Sequence, residues 1–256
     1  MELARFAIID PAAGISGDML LGALVAAGAP PDWLTGLPAR LGIPTVKVEI
    51  DRVMRCGVSC VQVHVRLADG SSEGPSEALG AGDHHHHSHD HHEHDAHGHG
   101  RPHSHDGHHH GNEDDHDHRH VGDLVALVER AALSPWVRGK AVEALQLLGE
   151  AEGRVHGMPW NEVQLHEVGA MDALVDIVGG IEGFERLGIR RVFSRPVALG
   201  NGWIRAAHGV MAVPAPATLN LLEGLAIGPD GPVIGEATTP TGAVLLRVLS
   251  AGAPPA

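Results

Sequence analysis

Residues 5 to 27 read R-F-A-I-I-D-P-A-A-G-I-S-G-D-M-L-L-G-A-L-V-A-A, and this stretch decides how the fold begins. The apolar run that ends at Asp10 predicts a short buried strand. The segment from Gly14 to Asp18 predicts a tight turn, and Met19 to Ala27 has Leu and Val at helical spacing. This order of strand, turn and helix places Asp10 and the N–H groups of the turn at the carboxyl end of the strand.

Outside this stretch, strand and helix patterns alternate irregularly. Two antiparallel strands are predicted at Thr45–Val53 and Val58–Leu67, where apolar and polar residues alternate. Six later or intervening segments have helical patterns: Pro31–Leu41, Asp123–Leu133, Pro135–Val155, Asp172–Leu187, Pro214–Glu223 and Pro240–Leu249. Because strands and helices do not alternate regularly, we predict the α+β class, with an irregular α/β sandwich as its architecture.

The histidines divide the chain into two kinds of sequence. Eighteen of the 22 lie between His84 and His120, in a tract of His, Asp, Gly and Ser. Such a composition buries too little apolar area to offset its ordering entropy. We therefore predict a disordered, low-complexity insert at 71–120, and one α+β domain formed by 1–70 and 121–256.

Charge and cysteine content exclude several classes of function. The chain has 18 Lys and Arg against 32 Asp and Glu, for a net charge of −14, and it shows no basic stripe. This balance argues against nucleic acid or an anionic membrane as a partner. Two cysteines are too few for a disulfide framework, and no secretory signal is visible, so we expect a cytoplasmic protein.

The His/Asp tract predicts metal binding. Imidazole suits Ni, Zn, Cu and Co, while the irregular spacing defines no single closed geometry. Many exchanging sites would serve storage or delivery, and the alternative is a solvated linker. The candidate ligands are His84, His85, His86, His87, His89, His91, His92, His94, His118 and His120.

A second group of candidate residues follows Val163. His166 and Glu167 come directly before a predicted helix, and Asp172 and Asp176 are four residues apart on one face of that helix. Together they predict either a fixed metal site or an acid–base pair. The alternative is that both aspartates are ordinary surface acids.

A third group is the turn after the first strand. Gly14, Ser16 and Gly17 can cradle a phosphate on backbone N–H groups, and Asp10 and Asp18 can hold a divalent ion beside it. The alternative is a tight turn in which a side chain caps the helix. Among the remaining histidines, His208 precedes a proline-rich helix start and is either structural or a metal ligand.

Five motifs occur in an order that resembles one known family. They are D-P-A-A-G-I-S-G-D-M from Asp10, H-R-H from His118, L-H-E-V-G-A-M-D-A-L-V-D-I-V-G from Leu165, H-G-V-M-A-V-P-A-P-A-T from His208, and T-P-T-G-A from Thr239. The chain resembles the LarC family of nickel insertion proteins, which act in the pathway of the lactate racemase cofactor. The resemblance covers nearly all of the chain outside the insert and implies that it is the amino-terminal portion of such a protein.

The resemblance implies a CTP-dependent nickel chelatase of the lyase class. Its substrates would be Ni(II) and pyridinium-3,5-bisthiocarboxylic acid mononucleotide, which binds nickel through two sulfurs and one ring carbon. A base must remove the ring proton, and we expect His166 with Glu167 in that role. Asp172 and Asp176 would hold nickel or orient the base, His166 and His208 are candidate nickel ligands outside the insert, and the loop from Asp10 would bind the phosphate.

The resemblance also implies partners and leaves alternatives. CTP with a divalent cation would bind a second domain, supplied by a further polypeptide, and the lactate racemase apoprotein would be a later partner. A non-catalytic nickel chaperone or store is the alternative of a different class. A phosphate-handling metalloenzyme built on Asp10 and Asp18 is a third possibility.

Overall fold

A long helix that is buried on nearly all sides lies at the centre of the fold. The computed structural model describes residues 5–67, 71, 77–78, 119–165, 169–206, 208–229, 231 and 233–255. In chain order the first strands and helices are β1 (Phe6–Ile9), α1 (Gly17–Ala26), α2 (Asp32–Thr35), α3 (Leu37–Arg40), β2 (Lys47–Arg55), β3 (Val58–Arg66), β4 (Glu77–Ala78), α4 (Val121–Arg130) and α5 (Pro135–His156). They are followed by a 3-10 turn (Trp160–Glu162), α6 (Ala170–Arg186), β5 (Arg191–Ser194), β6 (Gly200–Asn201), β7 (Trp203–Ala206), β8 (Gly209–Ala212), α7 (Pro216–Leu222), β9 (Gly235–Glu236) and α8 (Pro240–Leu249).

Helix α6 is the central helix because its buried part is apolar except for two acids, Asp176 and Glu182. Every residue from Ala173 to Phe184 is buried, and α1, α5 and α8 all pack against it. A helix with apolar residues on every side is stable only when neighbours cover all of its faces. The helix begins at Ala170 and ends at Arg186, so the predicted helix from Asp172 to Leu187 is confirmed with shifted ends.

The strands form small sheets around this helical core. The α+β class is confirmed, but within the described residues the largest sheet has three strands, in the order β4-β7-β8. Strands β2 and β3 form the predicted antiparallel hairpin, whereas β1 and β5 pair in parallel. In the part of the chain that the structure describes, the helices therefore pack around α6 and not on one continuous sheet.

Strand β1 is less buried than the sequence predicted. It was predicted as a buried strand, yet Phe6 is 52% exposed and Ile8 is 45% exposed, while Ala7 and Ile9 face the core. Because strand side chains alternate between two faces, only one face of this two-stranded sheet is covered by helices.

A helix cap explains where α5 begins. Ser134 accepts a hydrogen bond from the Val137 N–H at 3.2 Å, and Pro135 occupies the first turn of α5. The predicted helix from Pro31 to Leu41 is instead two four-residue helices, α2 and α3, with Gly36 between them.

No helix among the described residues is long and apolar enough to cross a membrane.

The predicted insert at 71–120 lies outside the described residues apart from its margins. Within those margins, β4 pairs with β7 in antiparallel fashion, and His120 forms a bridge with Gln164. These two margins therefore belong to the fold, although the composition of 71–120 predicted a disordered segment throughout.

Candidate functional site

The first turn of α1 meets the middle of α6 at a buried carboxylate. Asp176 is only 2% exposed, and a Cβ atom added to Gly17 would lie 2.1 Å from Asp176 Oδ2. No side chain fits in that space, so glycine at this position is what allows the two helices to approach. The alternative in which Asp176 is an ordinary surface acid is therefore wrong.

Three acidic side chains interact at this junction. Burial raises the pKa of the Asp176 carboxyl well above its usual range, and the negative charges of Asp172 and Asp18 raise it further. The backbone N–H of Asp18 donates a hydrogen bond to the Asp176 carboxylate and partly opposes this shift. Among the described residues, Asp176 Oδ1 has no hydrogen-bond partner. We call Asp18, Asp172 and Asp176 the acidic centre.

The start of α8 completes the junction through two threonine hydroxyl groups. The Gly17 N–H donates to Thr241 Oγ1 at 3.3 Å, and Thr241 Oγ1 lies 2.9 Å from Thr239 Oγ1. Thr239 also caps α8, because its Oγ1 accepts from the Gly242 N–H at 3.2 Å. The T-P-T-G-A motif was the sequence signal for this segment, but nothing in its local pattern linked Thr241 to Gly17.

The loop from Asp10 to Ser16 lies at the carboxyl ends of β1 and β5. Asp10 forms an exposed ion pair with Arg195, at 3.7 Å between Asp10 Oδ2 and Arg195 Nε. Gly14 has a φ of +91° and approaches the Ala237 backbone so closely that an added Cβ would lie 1.9 Å from its carbonyl oxygen. The Ser16 hydroxyl donates to an Asp18 carboxylate oxygen. The sequence did not single out Arg195, because it follows a strand that is distant in the chain.

The helix start that was expected to bind phosphate already has protein acceptors on two of its N–H groups. The Gly17 N–H donates to Thr241 and the Asp18 N–H donates to Asp176. Ser16 and Gly17 thus complete the junction between helices. A phosphate at this loop would have to use the side that faces Asp10 and Arg195.

Several predicted site residues lie outside the described residues. These are His166 and Glu167 of the second group and the tract ligands His84, His85, His86, His87, His89, His91, His92, His94 and His118. His120 is described, and its Nδ1 lies 2.7 Å from the carbonyl oxygen of Glu162, to which it donates. That hydrogen bond anchors the start of α4 and leaves Nε2 as the ring nitrogen that a metal could use.

His208 lines a cavity whose wall includes Pro240, the first residue of α8. The cavity has a volume of about 270 Å³, and its ionisable side chains are Glu152, His156, His208 and Glu236. The rest of its wall consists of Val155, Met211, Ala215, Pro216, Ala217 and Pro240. The sequence placed His208 among the candidate ligands but missed Glu152, His156 and Glu236, since the first two lie in a helix that read as structural.

Neither cluster is a closed metal site in its present arrangement. Within the part of the chain that the structure describes, no three His, Cys, Asp or Glu side chains are placed to hold a metal ion together. The acidic centre and the cavity are therefore two separate groups of donors near the start of α8, with Thr241 at the first and Pro240 at the second.

The chain is similar to known nickel insertion proteins. A family model described as "Nickel insertion protein" matches residues 7–256. A Desulfitobacterium hafniense protein named pyridinium-3,5-bisthiocarboxylic acid mononucleotide nickel insertion protein is 38% identical over 94% of this chain and 49% of its own length. A Thermotoga petrophila protein of the same name is 39% identical over 96% of this chain and 53% of its own length. No solved structure matches the chain.

The family match covers both the acidic centre and the cavity. The chain spans about half the length of the curated relatives it matches. The match nevertheless extends over almost every residue, including all five motifs. The chain therefore belongs to the nickel insertion protein family.

Proposed function

We propose that this chain takes part in nickel insertion into pyridinium-3,5-bisthiocarboxylic acid mononucleotide, with the acidic centre as the place where Ni(II) is held. The observation that carries this proposal is the meeting of Asp18, Asp172 and Asp176 at one junction, where the pKa of Asp176 is raised by burial and by its neighbours. A divalent cation would neutralise the mutual repulsion of these carboxyl groups and would compete with protons for Asp176.

The chemical step requires a base beside the ring. As Ni(II) bonds to two thiocarboxylate sulfurs and one ring carbon, the C–H bond at that carbon breaks, and its electron pair becomes the nickel–carbon bond. The proton that leaves is accepted by His166, with Glu167 orienting the imidazole. Asp172 belongs to the same motif and lies on the first turn of α6.

The phosphate of the mononucleotide would bind the loop of Asp10, Gly14, Ser16, Gly17 and Asp18 on its exposed side. Arg195 supports this assignment, because its guanidinium lies beside Asp10 at the carboxyl ends of two parallel strands. Ligands of such sheets commonly bind at that edge. Gly17 and Asp18 contribute by fixing the loop, since their N–H groups are already in use.

We also propose how the chain is organised into domains and which partners it has. In this proposal, residues 1–70 and 121–256 form the insertion core, and the histidines of 71–120 store Ni(II) and deliver it. CTP with a divalent cation binds a second-domain polypeptide, the lactate racemase apoprotein receives the finished cofactor, and the reaction takes place in the cytoplasm. The Desulfitobacterium hafniense relative is about twice as long as the part of it that this chain matches.

The proposal is tested by reconstitution with purified components. The chain is mixed with Ni(II), the pyridinium bisthiocarboxylate mononucleotide, CTP, Mg²⁺ and a polypeptide covering the other half of the Desulfitobacterium hafniense relative. The nickel-containing product is then followed by mass spectrometry. We expect His166→Ala to abolish product, and Asp176→Asn or Asp172→Asn to slow its formation by about tenfold or more.

The matched control is Asp32→Asn, which removes an exposed acid in the first turn of α2. This variant should retain the wild-type rate. A wild-type rate in the Asp176→Asn variant would remove the acidic centre from the mechanism. A wild-type rate in the His166→Ala variant would exclude the proposed base.

The alternative function is a non-catalytic nickel chaperone or store, and the 18 histidines between 84 and 120 favour it. A store would bind several Ni(II) ions and release them to a competing chelator. It would give no product with the mononucleotide under any of the conditions above. Phosphatase or nucleotidase turnover without the mononucleotide would instead favour the metalloenzyme built on Asp10 and Asp18.

A further inference from the structure

The cavity that contains His208 draws its polar side chains from three separate parts of the fold. Glu152 and His156 lie on the last turns of α5, His208 lies between β7 and β8, and Glu236 belongs to β9. None of these four was needed to explain the acidic centre. We propose that Glu152, His156, His208 and Glu236 form a labile binding site for a divalent transition-metal ion of the Ni(II) class.

The two histidines are close enough to share an ion. Their ring centroids are 4.9 Å apart and the ring planes are inclined by 41°. The side chain of His156 is 22% exposed, and His208 is exposed, so an ion from solvent can reach both side chains. A small rotation about the Cα–Cβ bonds can bring one nitrogen of each ring toward a common point.

A buried carboxylate supports His156 from within the same helix. Glu152 Oε2 lies 3.7 Å from His156 Nε2, and the Glu152 side chain is 5% exposed. A carboxylate beside a ligating imidazole fixes the ring orientation and makes the other nitrogen a better donor. Glu152 can therefore act as a positioning group or, after a shift of the ring, as an oxygen ligand itself.

The ionisable side chains that line the cavity favour binding of a cation. Its described wall contains two glutamates and two histidines but neither Lys nor Arg, and its other residues are apolar. Imidazole nitrogen favours Ni, Zn, Cu and Co, whereas Mg²⁺ requires oxygen ligands and keeps its waters. The donor set therefore favours a transition metal.

The open arrangement suits an ion that must leave again. In the described residues no three such side chains converge as they stand. A structural metal site is closed by four protein ligands, and an ion that is cargo needs vacant positions for the next ligand. That this ion is handed on to the mononucleotide rests on the proposed function. The binding of the metal itself does not.

The test must distinguish this cavity from the histidine tract in the full chain. Histidines are modified with diethyl pyrocarbonate with and without Ni(II) alone, and each modified peptide is quantified by mass spectrometry. We expect Ni(II) to slow the modification of His156 and His208 at the same metal concentration. His64, which lies on β3 away from the cavity, should react at an unchanged rate.

Variants show whether the two histidines share one ion. His208→Ala removes an exposed side chain and should abolish most of the Ni(II) protection of His156. Glu152→Gln should raise the Ni(II) concentration needed for protection by about tenfold, as expected for a group that orients a ligand. Its matched control, Glu150→Gln, changes an exposed glutamate of the same helix and should have no effect. If Glu152→Gln does not fold, Glu236→Gln takes its place.

Three outcomes would overturn the proposal. They are no protection of His156 by Ni(II), unchanged protection of His156 in the His208→Ala variant, and equal protection by Mg²⁺. Failure of the cavity leaves the reconstitution assay unaffected, so nickel insertion could still be observed. Conversely, a chain that protects both histidines but forms no product would retain the metal site and lose the proposed function.

Discussion

The Cα atom of Gly17 lies against the carboxylate of Asp176, although 159 positions separate the two residues in the chain (176 − 17). A Cβ at position 17 would be 2.1 Å from Asp176 Oδ2 and 2.4 Å from its Cγ. This contact joins the start of α1 to the middle of α6 and places a buried acid at the positive end of a helix.

Replacing Gly17 with alanine should destabilise the protein. The new methyl group would collide with the buried side chain of Asp176, which costs about 1–3 kcal/mol of the free energy of unfolding. Chemical denaturation measures the loss. Gly139→Ala is the matched control, because Gly139 lies exposed in α5 with nothing within 4 Å of an added Cβ. That control should stabilise by about 0.5–1 kcal/mol.

Asp176 should make stability fall as the pH rises. Its folded pKa is raised above the ordinary value of 3.8, so between the two values the folded chain keeps a proton that the unfolded chain has released. As the pH rises from the ordinary pKa to the raised one, the free energy of unfolding therefore decreases. As the pH falls back through the same range, the free energy of unfolding increases again. Asp176→Asn should remove this dependence and stabilise the metal-free protein at pH 7 by about 1–3 kcal/mol.

Thermal unfolding of both proteins across a pH series without metal tests this prediction. Asp32→Asn should reproduce the wild-type profile, because Asp32 is exposed. A wild-type stability that rises with pH above 4 while that of Asp176→Asn stays level would contradict the assigned direction of the shift.

A buried ion pair on the opposite end of α6 should also contribute to stability. Glu182 is 3% exposed and accepts hydrogen bonds from Arg40 at 3.0 and 2.8 Å, with Arg186 as a second partner. Arg40→Met leaves this carboxylate only partly compensated and should cost about 2–4 kcal/mol in denaturation experiments. Arg66→Met breaks an exposed pair with Glu49 and should cost less than about 1 kcal/mol.

Deletion of residues 84–117 should separate nickel supply from insertion. The deletion stops before His120, because its Nδ1 anchors the start of α4 to Glu162. We expect an unchanged melting temperature, fewer bound Ni(II) ions, slower product formation at limiting nickel and a wild-type rate at saturating nickel. Loss of product at every nickel concentration would favour the storage function.

Local patterns predicted most helices and the long hairpin well. Helix α8 has the predicted bounds, and Ser134 caps α5 as its position before Pro135 indicated. These elements depend on side-chain spacing and caps, which are properties of neighbouring residues. The exposure of Phe6 was not predicted, because it depends on which face of the strand other elements cover. The split of the helix after Pro31 has a local cause that the prediction did not use, since Gly36 ends α2 and Pro38 lies in the first turn of α3.

In the candidate site, too, the sequence predicted the local features but not those that depend on tertiary packing. The spacing of Asp172 and Asp176 put both acids on one side of a helix, and the glycine turn before α1 was visible in the sequence. Neither pattern indicated whether that side of the helix faces solvent or the core. Burial of Asp176, its contact with Gly17 and the role of Thr241 all follow from the packing of α1 and α8 against α6.

By itself, the sequence determined the class of fold, the family, the position of most helices and the chemical types present: a histidine tract and a few acids and histidines outside it. Only the tertiary structure decided that Asp18, Asp172 and Asp176 interact, and that Glu152, His156, His208 and Glu236 line one cavity. The physical reason is that helix and strand periodicity is encoded over a few neighbouring residues, whereas these groups come from segments far apart in the chain. Their meeting, and the raised pKa of Asp176, result from packing that removes water from a shared interior.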